Sequence, residues 1–333
     1  MWQKIKRNLG GKTNLVPRDE RGAVLLVVTL ILALMSVLIL SWGREWRLEL
    51  TLAANFLEVR KSRRLAEAGV YYSLGKLARV RRVEAAAVQG NRIIQSNVSD
   101  QDILRLDNQP RILKFPAGEV EVRVADEGGK INLNQAKEEI LLRLFMVLGI
   151  PEIKTRTMVD SIIDWRTRGD QPQPYGAKSS YYLRLEPPYV SKNGRFETVE
   201  ELAWVRGFEN SSIIPILTDF LTVQATGQAI NVNTAPPQVL RAVGLSDDNV
   251  AAIVIARQQK SLQNLQEMGS LQLDPWLGQR QPFSFASSLF FTIKSKGTVI
   301  NGKGSYTTKA IVRLQPNQSS PWSFVSWMDD FPG

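Results

Sequence analysis

The 333 residues include neither cysteine nor histidine. Without cysteine there is no disulfide framework, no thiolate metal site and no nucleophilic thiol. Without histidine the usual general base, the Ser-His-Asp arrangement and most zinc chemistry are excluded as well. An enzyme built on this chain would have to work with carboxylates, lysine or tyrosine alone, so a membrane-tethered enzyme is the weakest functional reading and the chain is read as a non-enzyme. Acidic charge is also scarce: 32 Asp and Glu stand against 42 Lys and Arg, a net charge of +10. Part of the excess lies before Gly22 and part in Arg60, Lys61, Arg63, Arg64, Arg79, Arg81 and Arg82. That run could meet nucleic acid or lipid headgroups, but it reads more simply as one solvated helix face.

What the chain does have is a long apolar run, uncharged from Gly22 through Gly43. As a helix, about 20 residues cross the ~30 Å of hydrocarbon in a bilayer, and Trp42 stands where an interfacial aromatic belongs. Lys4, Lys6, Arg7, Lys12, Arg18 and Arg21 precede it against Asp19 and Glu20. This bias predicts a single membrane pass with a cytoplasmic N-terminus and a translocated remainder. The run is too long, and too bulky at its far end, for a cleaved secretory signal. Its junction, Glu20-Arg21-Gly22 followed at once by Ala23, resembles a type IV prepilin leader. There a prepilin peptidase cuts after the glycine and leaves the helix on the product. Gly22 and Ala23 are then the processing residues, with a plain signal-anchor helix as the bland alternative.

Taken in order, residues 1–22 form the basic leader, 23–42 the transmembrane helix and 43–90 its amphipathic continuation. Trp46, Leu50, Ala53, Ala54, Leu57, Lys61, Leu65, Ala68, Tyr72 and Leu77 recur there at mostly three- and four-residue steps. Ala53, Ala54, Ala66, Ala68 and Gly69 leave room for a sheet or a neighbouring helix to approach closely. Residues 91–130 open an α/β domain, with a polar loop and short helix over 91–109. A half-buried strand follows over 118–126, where Val120, Val122 and Val124 alternate with charges. Residues 131–282 read as an inserted all-α lobe, 283–316 as the closing strands of the same sheet, and 317–333 as a tail. The tail's Trp322, Phe324, Trp327 and Phe331 suit a partner or the domain's own sheet equally.

The lobe carries a repeat. Ile131-Asn-Leu-Asn-Gln-Ala136 matches Ile230-Asn-Val-Asn-Thr-Ala235, and each is followed by an amphipathic helix, a Gly-apolar turn and a second helix that opens with acids. Asn134, and Asn233 or Thr234, are expected to cap the first helices, with Pro236 and Pro237 in a first turn. A shorter copy starts with a capping box from Thr198 to Glu201. The units fall near 131–165, 196–222 and 229–260 and look like helix-hairpin-helix or SAM-like elements. Ile-Asn-Val-Asn-Thr-Ala also opens the DNA-binding module of competence proteins, so a membrane-anchored DNA receptor is the rival reading. The turns argue against nucleic acid. Gly149-Ile-Pro-Glu152, Gly207-Phe-Glu209 and Gly244-Leu-Ser-Asp-Asp248 put proline or carboxylates where N–H groups would take a phosphate.

Between the repeats run Asp164-Trp-Arg-Thr-Arg-Gly-Asp170, Gly176-Ala-Lys-Ser-Ser-Tyr-Tyr182 and Pro187-Pro-Tyr-Val-Ser-Lys-Asn-Gly-Arg-Phe196. Together with the prepilin-like junction, the Ile-Asn-apolar-Asn elements and the closing strands, they resemble the general secretion pathway protein K family, the large minor pseudopilins of type II secretion systems. The resemblance implies an α+β, pilin-like fold: a long N-terminal transmembrane helix on a small antiparallel sheet, interrupted by the helical lobe. It also implies a subunit that caps the tip of the periplasmic pseudopilus and helps initiate its assembly. The implied partners are the I- and J-type minor pseudopilins, the prepilin peptidase, the outer-membrane secretin and secreted substrates. In the major subunits of such filaments the fifth residue after the cut is Glu, which meets the amine of the subunit above. Here it is Val27, which suits a topmost place. Some family members are associated with calcium. Asp164 and Asp170 are the residues that could serve it here. Thr167 and Lys178-Ser179 replace family acids, which leaves few charged oxygens for an ion that takes six to eight. Asp160 and Asp164, one helical turn apart, otherwise read as two solvated acids at an exposed helix end.

Overall fold

The protein is described by a computed structural model over residues 20–88, 106–209, 212–224, 227–269, 283–302, 304–315 and 320–329. It divides into two compact units between Leu57 and Glu58. Helix α1, Glu20–Val88, supplies all that is described of the first unit and the opening element of the second. Most of the basic leader therefore lies outside the described residues.

In the first unit every residue from Ala23 to Leu57 is exposed. The helix is long and apolar enough to cross a membrane. Its few hydroxyls fit that setting, because those of Thr29, Ser36 and Ser41 return to backbone carbonyls of Leu25, Leu32 and Leu38 on the preceding turn. Polar groups satisfied inside the helix need nothing from lipid.

In the second unit the chain leaves α1 and forms β1, Arg111–Phe115, and β2, Gly118–Asp126. The expected loop and helix over 91–109 fall largely outside the described residues. At its end Asp107 bridges Ala125 in antiparallel fashion, so strand-like pairing starts before β1.

From Glu127 the chain leaves the sheet for the lobe. In order come β3 (Ile131–Asn132), α2 (Glu138–Val147), α3 (Glu152–Arg166), α4 (Ser179–Tyr182), a 3₁₀ turn (Glu200–Trp204) and α5 (Ile214–Leu217). Then follow β4 (Leu221–Thr222), β5 (Ile230–Asn231), α6 (Pro237–Ala242), α7 (Asp247–Gln259), α8 (Leu265–Gly269) and β6 (Phe283–Ser284). The lobe is not all-α. Each Ile-Asn pair that opens a repeat is a two-residue strand with a parallel partner: β3 pairs β4, and β5 pairs β6.

The chain returns to the sheet as β7 (Phe290–Val299), β8 (Ser305–Leu314) and β9 (Trp322–Asp329). The five-stranded order is β1-β2-β7-β8-β9, antiparallel throughout. The tail is thus largely the edge strand β9. It packs at home: Tyr71 of α1 meets Phe324 edge-on at 6.1 Å, and Arg63 pairs with Asp329 at 2.6 Å.

Two cores result. Leu65, Val70, Leu74 and Leu77 of α1 cover Val120, Val122 and Val124 of β2, together with Phe291, Ile293, Ala310 and Val312. The apolar alternation in β2 aims its valines at the helix, and burying each such side chain contributes roughly 1.5–3 kcal/mol. The lobe has its own core around Leu133, Leu141, Phe145, Met158, Ile162, Leu202, Phe208, Leu240 and Ile253.

Candidate functional site

Gly22 and Ala23 lie in the first turn of α1, so the bond named by the prepilin-like junction is helical in the intact chain. Val27 is 55% exposed and belongs to an apolar surface that also includes the exposed Leu26 and Leu30. From Ala23 onward the first carboxylate in the sequence is Glu45. This stretch offers lipid or other helices a wide apolar surface and no buried charge.

The two full repeats of the lobe are built alike to the level of single bonds. After α2, Ile150 N–H reaches Phe145 O at 3.0 Å and Gly149 N–H reaches Met146 O at 2.9 Å. After α6, Leu245 N–H reaches Leu240 O at 3.2 Å and Gly244 N–H reaches Arg241 O at 2.9 Å. Both are six-to-one, five-to-two closures through a left-handed glycine, with φ of +80° at Gly149 and +105° at Gly244. The amides that a DNA-binding hairpin would turn to phosphate are spent inside the chain. In the third turn the Gly207 N–H is taken by the Glu209 carboxylate at 2.8 Å.

The predicted caps are not formed by the expected residues. Lys137 and Pro236 occupy the N-cap positions of α2 and α6, and neither makes a side-chain capping bond. Pro237 does fall in the first turn. Asn134 instead clamps the backbone of Phe196, donating to its carbonyl at 2.9 Å and accepting from its amide at 2.7 Å. Asn233 does the same to Leu262 at 2.8 Å each way. The capping box is half present: Glu201 accepts from the Thr198 amide at 3.1 Å, ahead of a 3₁₀ turn rather than a regular helix.

Two further residues were not singled out from sequence. Arg166, ending α3, donates to the carbonyls of Leu133 and Ala136, and Arg257, near the end of α7, donates to those of Val232 and Ala235. Each second helix is thereby tied back to the Ile-Asn loop that opened its unit. Burial lowers both guanidinium pKa values from their ordinary range. An arginine in the last turn of the second helix of both repeats was the available signal.

Buried polar bonds join the lobe to the sheet. Asp126, at the end of β2, accepts from the amides of Gly128 and Ser288 and from the side chains of Asn231 and Thr234. Glu127 pairs with Lys130 at 2.6 Å and accepts from Thr292 at 2.7 Å. Lys294 reaches Asp219 and Lys309 reaches Glu200, each at 2.8 Å. Burial alone would raise the Glu200 carboxyl, but the Lys309 ammonium and its hydrogen bond hold it below the usual carboxylate range.

Asp160 and Asp164 are not solvated acids on an exposed helix end. They are 8% and 2% exposed, because the Gln-Pro loop after α3 folds over them. The Tyr175 amide donates to Asp160 at 3.0 Å, and the Gln173 amide donates to Asp164 at 3.0 Å. Burial raises the Asp164 carboxyl, offset by that amide and by Lys178. Asp170 is exposed nearby and adds attraction for Lys178. The described residues contain no cluster of three or more His, Cys, Asp and Glu side chains placed to hold a metal ion. The oxygen set here faces the ammonium of Lys178, which does not fit a calcium site.

A family model described as type II secretion system (T2SS), protein K matches residues 122–225, and a second with the same description matches residues 230–287. These limits follow the architecture: the first ends just past β4 and the second spans β5 to β6. Type II secretion system protein K of Pseudomonas aeruginosa is 26% identical over 260 residues, covering 74% of this chain and 75% of the relative. The protein of the same name from Aeromonas hydrophila is 23% identical over 274 residues, covering 73% and 77%. Among solved structures, the crystal structure of the GspK-GspI-GspJ complex from the enterotoxigenic Escherichia coli type 2 secretion system contains a chain with a TM-score of 0.55. That likeness covers 81% of this chain and 98% of the other at 18% identity, and it establishes the fold.

Proposed function

The chain belongs to the type II secretion system protein K family, and from that premise we propose that it is a minor pseudopilin capping the tip of the periplasmic pseudopilus. It helps start assembly of that filament for protein export across the outer membrane. One apolar N-terminal helix anchors it in the membrane. The positive leader keeps the N-terminus in the cytoplasm, and the sheet and lobe stand in the periplasm of an inner-membrane protein. The prepilin peptidase removes the leader between Gly22 and Ala23.

The observation that carries the tip assignment is the lobe. It leaves the sheet after Asp126 and returns at Phe290, next to where it left, because Asp126 pairs with Phe291. Bulk on that side of a subunit obstructs another subunit stacked above it. Val27 agrees: a helix with no carboxylate at that position has no partner for an amine overhead, and an unpaired charge is costly in an apolar bundle. Helices of the I- and J-type minor pseudopilins lie beside it, and the secretin and secreted cargo are met from the tip. No step of this function needs catalysis.

In cells with prepilin peptidase, the wild-type chain should lose a leader-sized mass, copurify with the I- and J-type subunits and support secretion. Gly22→Val should keep the leader and block secretion. A Gly22→Val chain that stays untrimmed yet secretes normally overturns the assignment.

A further inference from the structure

Lys178 is 3% exposed, deep enough that an unpaired ammonium would be strongly unfavourable. Its Nζ donates to Asp164 O at 2.5 Å, to Thr167 O at 2.6 Å and to Asn193 Oδ1 at 3.1 Å. An ammonium has three N–H donors and no acceptor, so the three oxygens saturate it. Two of them are carbonyls from the last turn and C-cap of α3, the negative end of the helix dipole, where a cation is favoured. The third is held from behind: Asn193 Oδ1 also accepts from Ser191 Oγ at 3.2 Å, and Ser191 Oγ lies 3.1 Å from Ser179 Oγ. Carbonyl and amide oxygens converging on one point, with Asp164 and Asp170 close by, are the surroundings a hard cation takes.

We propose that the Lys178 ammonium is the resident cation of this site, joining the C-terminus of α3 to the 176–193 loop in place of a metal ion, so that the lobe folds without calcium. Charge and geometry point the same way. A calcium ion brought to these oxygens would displace or repel an ammonium already bonded to all three, and the side chains of Thr167, Lys178 and Ser179 supply none of the carboxylate a calcium shell draws on. The loop is thus held by a cation that chelators cannot remove and that does not vary with the calcium of the compartment.

The test uses the full chain in detergent, with thermal unfolding followed by circular dichroism in excess calcium chloride and in EGTA. The wild type should melt at the same temperature in both. A calcium site filled at a hundredfold excess over its Kd would raise the midpoint by roughly 5–10 °C, and a rise of that size overturns the proposal. Lys178→Met removes the charge and keeps the length of the side chain. It should lower the midpoint by about 5–10 °C, equally in calcium and in EGTA, because it leaves buried oxygens without a donor. A Lys178→Met chain that melts like the wild type also overturns the proposal. Neither result bears on pseudopilus membership, which is read from processing and secretion.

Discussion

Single residues decide whether the buried polar bonds between sheet and lobe hold. Lys309 and Glu200 are the clearest pair, since the ammonium is 4% exposed and its attraction, with its hydrogen bond, outweighs the burial that pushes the carboxyl up. A carboxylate held below its unfolded pKa contributes stability above that value, near pH 4, and the contribution is lost as pH falls through the folded pKa. Lys309→Met removes the partner, so that burial is opposed only by a backbone hydrogen bond and the charge of Lys130, and the Glu200 carboxyl moves up from its wild-type position. The stability deficit of Lys309→Met relative to wild type should therefore be greatest near neutral pH and close as the pH drops below about 4. Urea unfolding at a series of pH values reads this directly, and a deficit independent of pH would refute it. The pairing could not be read from sequence, because Glu200 and Lys309 belong to different layers and meet only when the lobe folds back over β8.

At the scale of elements, α1 and β7 approach backbone to backbone at Gly297. A Cβ built on Gly297 would lie 2.2 Å from Ser62 O and 2.7 Å from Ala66 N, so any side chain there pushes helix backbone off sheet backbone. Gly297→Ala should cost about 3 kcal/mol, whereas Gly75→Ala, on the same helix with nothing within 4 Å of its Cβ, should add about 0.5–1 kcal/mol. Denaturant midpoints that moved the same way in both would show that the close approach is not limiting. The elements legible in the sequence were those with an undisturbed period. These are the apolar run and amphipathic continuation of α1, the alternation of β2, and the β7–β8 hairpin. β9 was hidden because its ladder slips between Ile311 and Val312, so Trp322, Phe324 and Trp327 break the two-residue alternation. β3 to β6 were hidden because two residues carry no period at all. The hairpin repeat was legible and its caps were not, since Asn134 and Asn233 are used by segments distant in sequence.

At the scale of the whole molecule, sheet and lobe are separable in principle. Their apolar cores are distinct clusters, and the chain enters and leaves the lobe at neighbouring ladder positions. Replacing residues 127–289 by a short Gly-containing turn would convert β2 and β7 into an ordinary antiparallel hairpin. The side chains uncovered on the sheet include Thr292, Lys294 and Lys309, which water can solvate. The trimmed chain should still insert in the membrane, still lose its leader after Gly22 and still pack α1 on the sheet through Leu65, Val70 and Leu74. On the proposed tip role it should not support secretion, because the bulk that would obstruct a subunit above it is gone. Cysteine pairs placed on the trimmed chain and on the major pseudopilin would detect that change, forming crosslinks to subunits on both sides instead of one. Normal secretion by a correctly processed trimmed chain would mean that the lobe does not set the tip position, and that Val27 and the helix bundle do so without it.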